Sequence, residues 1–293
     1  MTKFVLARRS KSMRYLLYNP LSGKTNQSFE GAKAYAGRAT MSVELVDMTK
    51  INSFRDFFET LEAGDDAVVF GGDGSLNKLA NALCDVTLSN DLYYFPCGTG
   101  NDFARDVDKA DAQEPFLINE FIQNLPTVIV NGKSTKFING IGFGIDGYCC
   151  EVGDRLKAEG KQPDYAGIAI KGLLFHFKPV KAKVVVDGKE TEFKKVWIAP
   201  TMYGRFYGGG MMPTPEQKRN AEDRQVSLMV FHGSGKLKTL MIFPSLFQGT
   251  HVEKKKHVSI LQGKRITVAF DRPTSLQIDG ETVLNVTEYT VEI

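Results

Sequence analysis

Over roughly the first 125 residues, short apolar runs alternate with amphipathic stretches, and this alternation restricts the possible folds more than any other feature of the chain. "YLLYNP", "SVELVDM", "DAVVFGG" and "LYYFP" read as strands, whereas Gln27 to Arg38, Ile51 to Ala63, Ser75 to Leu83 and a piece starting at Gly100 read as helices. Repeated strand-helix units place parallel strands side by side with helices over both faces. From about Thr127 the grammar changes to β-rich segments joined by "NG" and "DG" pairs, as in "TVIVNGKSTKFING", "KAKVVVDGKETEFKKVWIAP" and "SLQIDGETV". Such pairs between alternating Val, Ile, Thr and Phe predict hairpins. The expectation is an α/β nucleotide-binding domain over 1–126 and a β-rich, mostly antiparallel lipid-substrate domain over 127–285, with residues 286–293 packing back onto the first.

A chain of 293 residues, 42% hydrophobic, can bury a core in each of two such domains. Its 37 basic and 34 acidic side chains give a formal charge of +3. That mixed surface argues against nucleic acid as a partner, while a mildly basic face suits an anionic membrane. Cys84, Cys97, Cys149 and Cys150 show no C-x-x-C spacing, which fits a reducing cytoplasm and speaks against zinc. No apolar run approaches the roughly 18 residues of a spanning helix. The expected location is cytoplasmic and peripheral to a membrane.

"VVFGGDGSLN" places Gly71, Gly72, Asp73 and Gly74 where a strand hands over to a helix. Glycines there let backbone N–H groups approach a ligand, and the helix start offers unpaired donors and a positive dipole end to phosphate. Asp73 would repel phosphate unless a bridging Mg²⁺ lay between them. The other reading is a plain strand-to-helix turn in which Asp73 or Ser75 caps the helix. On this stretch alone both stand. A second turn, "YFPCGTGNDFARDV", brings Gly98, Thr99, Gly100 and Asn101 to the end of another strand, and "YNPLSGK" adds Asn19, Ser22, Gly23 and Lys24 after the first. Loops of matching polarity at the ends of parallel strands line one crevice.

Taken in order, "NPLSGK", "GGDGSLNKLANAL", "PCGTGNDFARD", "GFGIDG", "YGGGMMPTP" and "QIDGE" resemble the diacylglycerol kinase catalytic-domain family, and in particular its small bacterial lipid kinases, relatives of the sphingosine kinases. The resemblance implies a three-layer α/β domain akin to NAD kinase and phosphofructokinase and a C-terminal β-sandwich, with ATP- and Mg²⁺-dependent phosphoryl transfer to a lipid hydroxyl. By motif match, Gly71 to Gly74 and Gly98 to Gly100 would hold the nucleotide phosphates, with Thr49 at a nucleotide-contacting place. In "QIDGE", Asp279 and Gly280 alone make a hairpin turn. The resemblance adds a role: Asp279 as general base, Glu281 as a magnesium ligand, and Asp73 as the other carboxylate on the metal, able to share the base role.

Three departures stand out. Lys78 replaces the family's usual Glu, Ser75 follows the glycines, and in "PTPEQKRNAEDRQVSL" Arg224 and Ser227 replace Gly and Asp after Asp223, so the structural magnesium of some bacterial members is not expected. Two other functions compete: an NAD-kinase-like enzyme with a soluble substrate, since "GGDG" marks that family too, and a catalytically silent nucleotide or lipid sensor. "AGIAIKGLLFHFKP" has a helical apolar pattern expected to pack on the β domain, with a lipid-facing role as the rival. "HVEKKKHV" reads as a solvated loop, and an exposed strand in the second domain would allow a symmetric homodimer.

Overall fold

A computed structural model describes residues 12–20 and 26–293. In chain order the first elements are β1 (Met13–Tyr18), α1 (Gln27–Ala36), β2 (Ser42–Asp47), α2 (Phe54–Glu59), β3 (Asp66–Gly71), α3 (Asp73–Leu83), β4 (Asp91–Pro96), α4 (Asp102–Asp106), β5 (Phe116–Leu117) and α5 (Asn119–Ile122). Next come β6 (Thr127–Val130), β7 (Lys133–Lys136), β8 (Gly140–Phe143), α6 (Ile145–Ala158), α7 (Tyr165–Lys171), β9 (Val180–Val186), β10 (Lys189–Val196) and β11 (Thr201–Met202). The remainder are β12 (Val226–Phe231), α8 (Lys236–Ile242), β13 (Val258–Gly263), β14 (Arg265–Ile278) and β15 (Glu281–Glu292). The chain divides into two compact units. One holds the residues up to Asn101 plus Lys109–Gln123, the other Asp102–Asp108 plus Asn124–Ile293.

The first unit is a five-stranded sheet in the order β2-β1-β3-β4-β5, parallel except for β5. Ala32 of α1 packs on Leu16, Val68 and Phe70. Alternation along the strands turns Leu17 and Val69 to the opposite face, and both are fully buried, so that face is covered as well. Each such side chain contributes about 1.5–3 kcal/mol when withdrawn from water. The helix expected over Ile51 to Ala63 is shorter, because Ser53 caps its start by accepting from the Asp56 N–H and Gly64 adopts φ 92° beyond its end.

The second unit carries a ten-stranded sheet whose main path runs β13-β12-β11-β8-β14-β15-β6-β7, with β9 on β14 and β10 on β9. β14 is the hub: Ile266 to Phe270 pair with β9, Leu276 to Ile278 with β8, and β15 runs along it. Register breaks between Ala269 and Leu276 bend this strand, the usual way for one strand to serve both layers of a sandwich. All three expected hairpin turns have positive φ at both central residues, at Asn131-Gly132, Asp187-Gly188 and Asp279-Gly280. Residues 286–292, expected to pack back onto the first domain, complete β15, bonded to β14 and β6 in the second unit's own sheet.

Candidate active site

The glycine turns of the first unit owe their position to strand register. Tyr18 pairs with Asp47 and Phe70, and Gly71 with Pro96, so four parallel strands end level at one edge. Asn19, Thr49, the turn at Gly71 to Gly74 and the turn at Gly98 to Asn101 all follow these ends. β1 hands over to β2 on one side and lies beside β3 on the other, which makes the β1/β3 gap the switch point where open α/β sheets bind ligands. Ser28 bridges that gap by accepting from the Asn19 N–H at 2.9 Å and donating to the Phe70 carbonyl. Ser22 and Gly23 lie outside the described residues.

Packing explains some of the glycines. A Cβ on Gly71 would sit 2.7 Å from that of Ser75, and one on Gly98 would sit 2.6 Å from the Gly72 Cα, so the two turns touch backbone to backbone. Asn101, at φ 51°, fastens the second turn, accepting from the Gly98 N–H and donating to its carbonyl at 3.0 and 2.8 Å. Gly74 differs. A Cβ there would meet nothing within 4 Å beyond its own helical turn. The N-cap of α3 is Gly72, which brings no side chain to the helix start, and the Leu76 N–H bonds back to the Gly72 carbonyl at 3.1 Å. Ser75 is buried beneath Gly71, while Thr99 and Thr49 are exposed, the Thr49 hydroxyl donating to Asp47 at 2.7 Å.

In the second unit Asp279 is both turn former and strap. Its carboxylate accepts the N–H groups of Ile138, Asn139 and Gly140 at 2.5, 2.9 and 2.9 Å, while the Gln277 side chain accepts from the Gly280 N–H at 2.7 Å. Glu281, next along, is exposed. Among the described residues no group of three His, Cys, Asp or Glu side chains is arranged to hold a metal ion. Ser227, at the family's Asp position, instead joins a neutral network, donating to Gln217 and accepting from Gln262 at 2.9 Å.

Two features of this unit escaped the sequence reading. Asp146 opens α6 in near-complete burial, accepting from the Gly147 N–H and the Tyr207 hydroxyl at 2.9 and 3.0 Å. Burial pushes its carboxyl up to about 6. The signal lay in "GFGIDG": a Cβ on Gly142 would overlap the Asp146 carboxylate, and one on Gly147 would overlap the Ser275 carbonyl. The second feature is Arg219, only 4% exposed, which donates to Asp106 at 2.8 Å, to the Ile138 carbonyl and to Asn139. Asp106 also accepts from Arg205, and Asp102 accepts from the Gly209 N–H at 2.8 Å in a loop where Gly208 to Gly210 all have positive φ. α4 is thereby fixed into the second unit.

Residues 14–136 match the diacylglycerol kinase catalytic domain model, and residues 139–292 match that of the YegS C-terminal NAD kinase β-sandwich-like domain. A diacylglycerol kinase of Mycobacterium tuberculosis is 26% identical over 86% of this chain and 83% of its own, and one of Bacillus subtilis 25% identical over 91% and 88%. The crystal structure of a putative diacylglycerol kinase from Bacillus anthracis superposes with a TM-score of 0.64 at 18% identity, covering 96% of this chain and 93% of that one. With an α/β first unit carrying paired glycine turns and a β-sandwich second unit, the chain belongs to the diacylglycerol kinase catalytic-domain family.

Proposed function

We propose that this protein is an ATP- and Mg²⁺-dependent lipid kinase that moves the γ-phosphoryl group to a hydroxyl of diacylglycerol or a related lipid at a membrane surface. The observation that carries this reading is the glycine-capped start of α3 at the sheet's switch point, with Gly74 open where packing demands glycine at Gly71, Gly72 and Gly98. First-turn N–H groups there suit phosphate oxygens. Bound nucleotide would supply the phosphoryl group, and Mg²⁺, with Asp73 and Glu281 as its protein ligands, would offset the charge on it.

Asp279 orients the acceptor hydroxyl. In a loose transfer the nucleophile needs placement more than early deprotonation, and a carboxylate anchored by three backbone N–H groups is a rigid acceptor for that purpose. The hydroxyl oxygen bonds to the γ-phosphorus as the bond to the bridging oxygen of ADP breaks, and the hydroxyl proton passes to the Asp279 carboxylate.

The test is transfer of labelled γ-phosphate to a lipid extract in mixed micelles with Mg²⁺. Asp279→Asn is expected to lower kcat by about a hundredfold or more with nucleotide affinity unchanged. Because the same change weakens the strap on residues 138–140, its unfolding midpoint is measured beside it. A folded variant with full activity would sink the assignment. ATP binding without labelled lipid would point to a sensor, and transfer to NAD alone to the soluble-substrate kinase.

A further inference from the structure

Phe175, Leu237 and Met241 are 73%, 72% and 74% exposed, more than any other large apolar side chain among the described residues. They lie together. A π-helical turn, Gly172–His176, continues α7 and presents Phe175, while Leu237 and Met241 stand one turn apart on α8. The Lys236 ammonium donates to the Leu174 carbonyl at 2.6 Å, and Leu173 and Phe177 share a core with Ile242 and Leu246, so the two elements are packed side by side. Beneath this layer the apolar residues are buried, and above it the apolar residues are bare.

The two segments that build the face carry charge of one sign. Residues 165–181 and 232–252 contain Lys171, Lys178, Lys181, Lys236 and Lys238 and no Asp or Glu, although 34 of the chain's 293 residues are acidic. A cleft of about 590 Å³ beside it is lined by His176, Lys178 and Arg272 together with Phe177 and Leu284, and by one acidic residue, Glu151, which accepts a hydrogen bond from the Ser275 hydroxyl. An isologous dimer through this face would set lysines against lysines. Protruding Phe, Leu and Met within a ring of lysines match instead the two layers of a bilayer surface, acyl chains under anionic headgroups.

We infer that the face formed by α7, the π-helical turn and α8 docks the protein onto an anionic phospholipid bilayer, with Phe175, Leu237 and Met241 entering the acyl boundary. The inference deepens the lipid-kinase reading by naming the surface that meets the membrane.

The full chain is sedimented without nucleotide with vesicles of phosphatidylcholine alone or mixed with phosphatidylglycerol. It is expected to bind the mixed vesicles, to bind less at high salt, and to lose about tenfold or more of its partitioning in Leu237→Glu/Met241→Glu. Leu45→Glu, an equally apolar-to-acidic change on exposed β2, should bind as the parent does. Equal binding by parent and double variant, no binding by the parent, or an equal loss in Leu45→Glu would overturn the inference. A dimer seen by sedimentation velocity and dispersed by the double variant would assign the face to a second copy instead. Transfer to a short-chain monomeric diacylglycerol separates the two readings. It stays at parental level in the double variant if only docking is lost, and is absent in the parent if the kinase reading fails.

Discussion

Gly71 and Gly74 show how one residue type can be demanded by packing at one position and left open at another nearby. Gly74→Ala should stabilise the fold by about 0.5–1 kcal/mol, since alanine favours the helix and nothing crowds its Cβ. It should also weaken ATP binding by about tenfold, roughly 1.4 kcal/mol, as the methyl group intrudes where phosphate approaches. Calorimetric titration and thermal unfolding read the two effects separately, and unchanged affinity would remove phosphate from this turn. Asp146 gives a pH signature. Burial pushes its folded carboxyl up from the ordinary carboxylate value to about 6, so the folded state holds the extra proton between those values. Stability from this residue therefore falls as pH rises through that window, by on the order of 3 kcal/mol in all, and stays reduced above it. Asp146→Asn should lack that decline, so its stability relative to the parent, measured by urea unfolding, should grow from pH 4 to pH 7. Neither the strap made by Asp279 nor the burial of Asp146 was written locally: the strap spans some 140 positions, from Asp279 to Asn139. The glycines themselves were legible because turn chemistry is local.

At the scale of elements, the parallel strands were readable because buried strands are continuous apolar runs, and the three hairpins because "NG" and "DG" meet the φ demands of their turns. α4 was readable as a helix but not as a part of the second unit. Its five residues carry too little pattern to declare an allegiance, and the bond that decides it joins Asp106 to Arg219, 113 positions away. Arg219 also lies 5.0 Å from the Phe103 ring and 5.1 Å from that of Tyr203, so its charge is enclosed by aromatic faces as well as by Asp106. Arg219→Met should cost about 3–5 kcal/mol, because it strands a carboxylate that is itself 4% exposed. Urea unfolding of the full chain measures this, and a loss below about 1 kcal/mol would show that Arg205 alone suffices.

For the whole molecule, the expected division near residue 126 describes the change in grammar but not the path of the chain, which enters the second unit at Asp102, leaves at Asp108 and returns at Asn124. A fragment beginning at residue 127 therefore discards the carboxylate that Arg219 requires, whereas one beginning at residue 102 keeps it. The longer fragment should be the more stable by about 3 kcal/mol or more, and equal unfolding midpoints would mean that α4 is dispensable to the unit. No helix among the described residues is long and apolar enough to cross a membrane. The hub strand has a consequence for how the protein is made. β14 joins β8, β9 and β15, yet it is synthesised after all of residues 127–263, so β8 and β9 leave the ribosome with their partner still unmade. The second unit must hold those open edges through most of its own translation and close late, in one long-range step that also draws Asp279 back to Ile138. An interrupted chain would thus expose adhesive strands and lack Asp279, the carboxylate proposed for phosphoryl transfer, at the same time, linking completeness of synthesis to both solubility and the proposed activity.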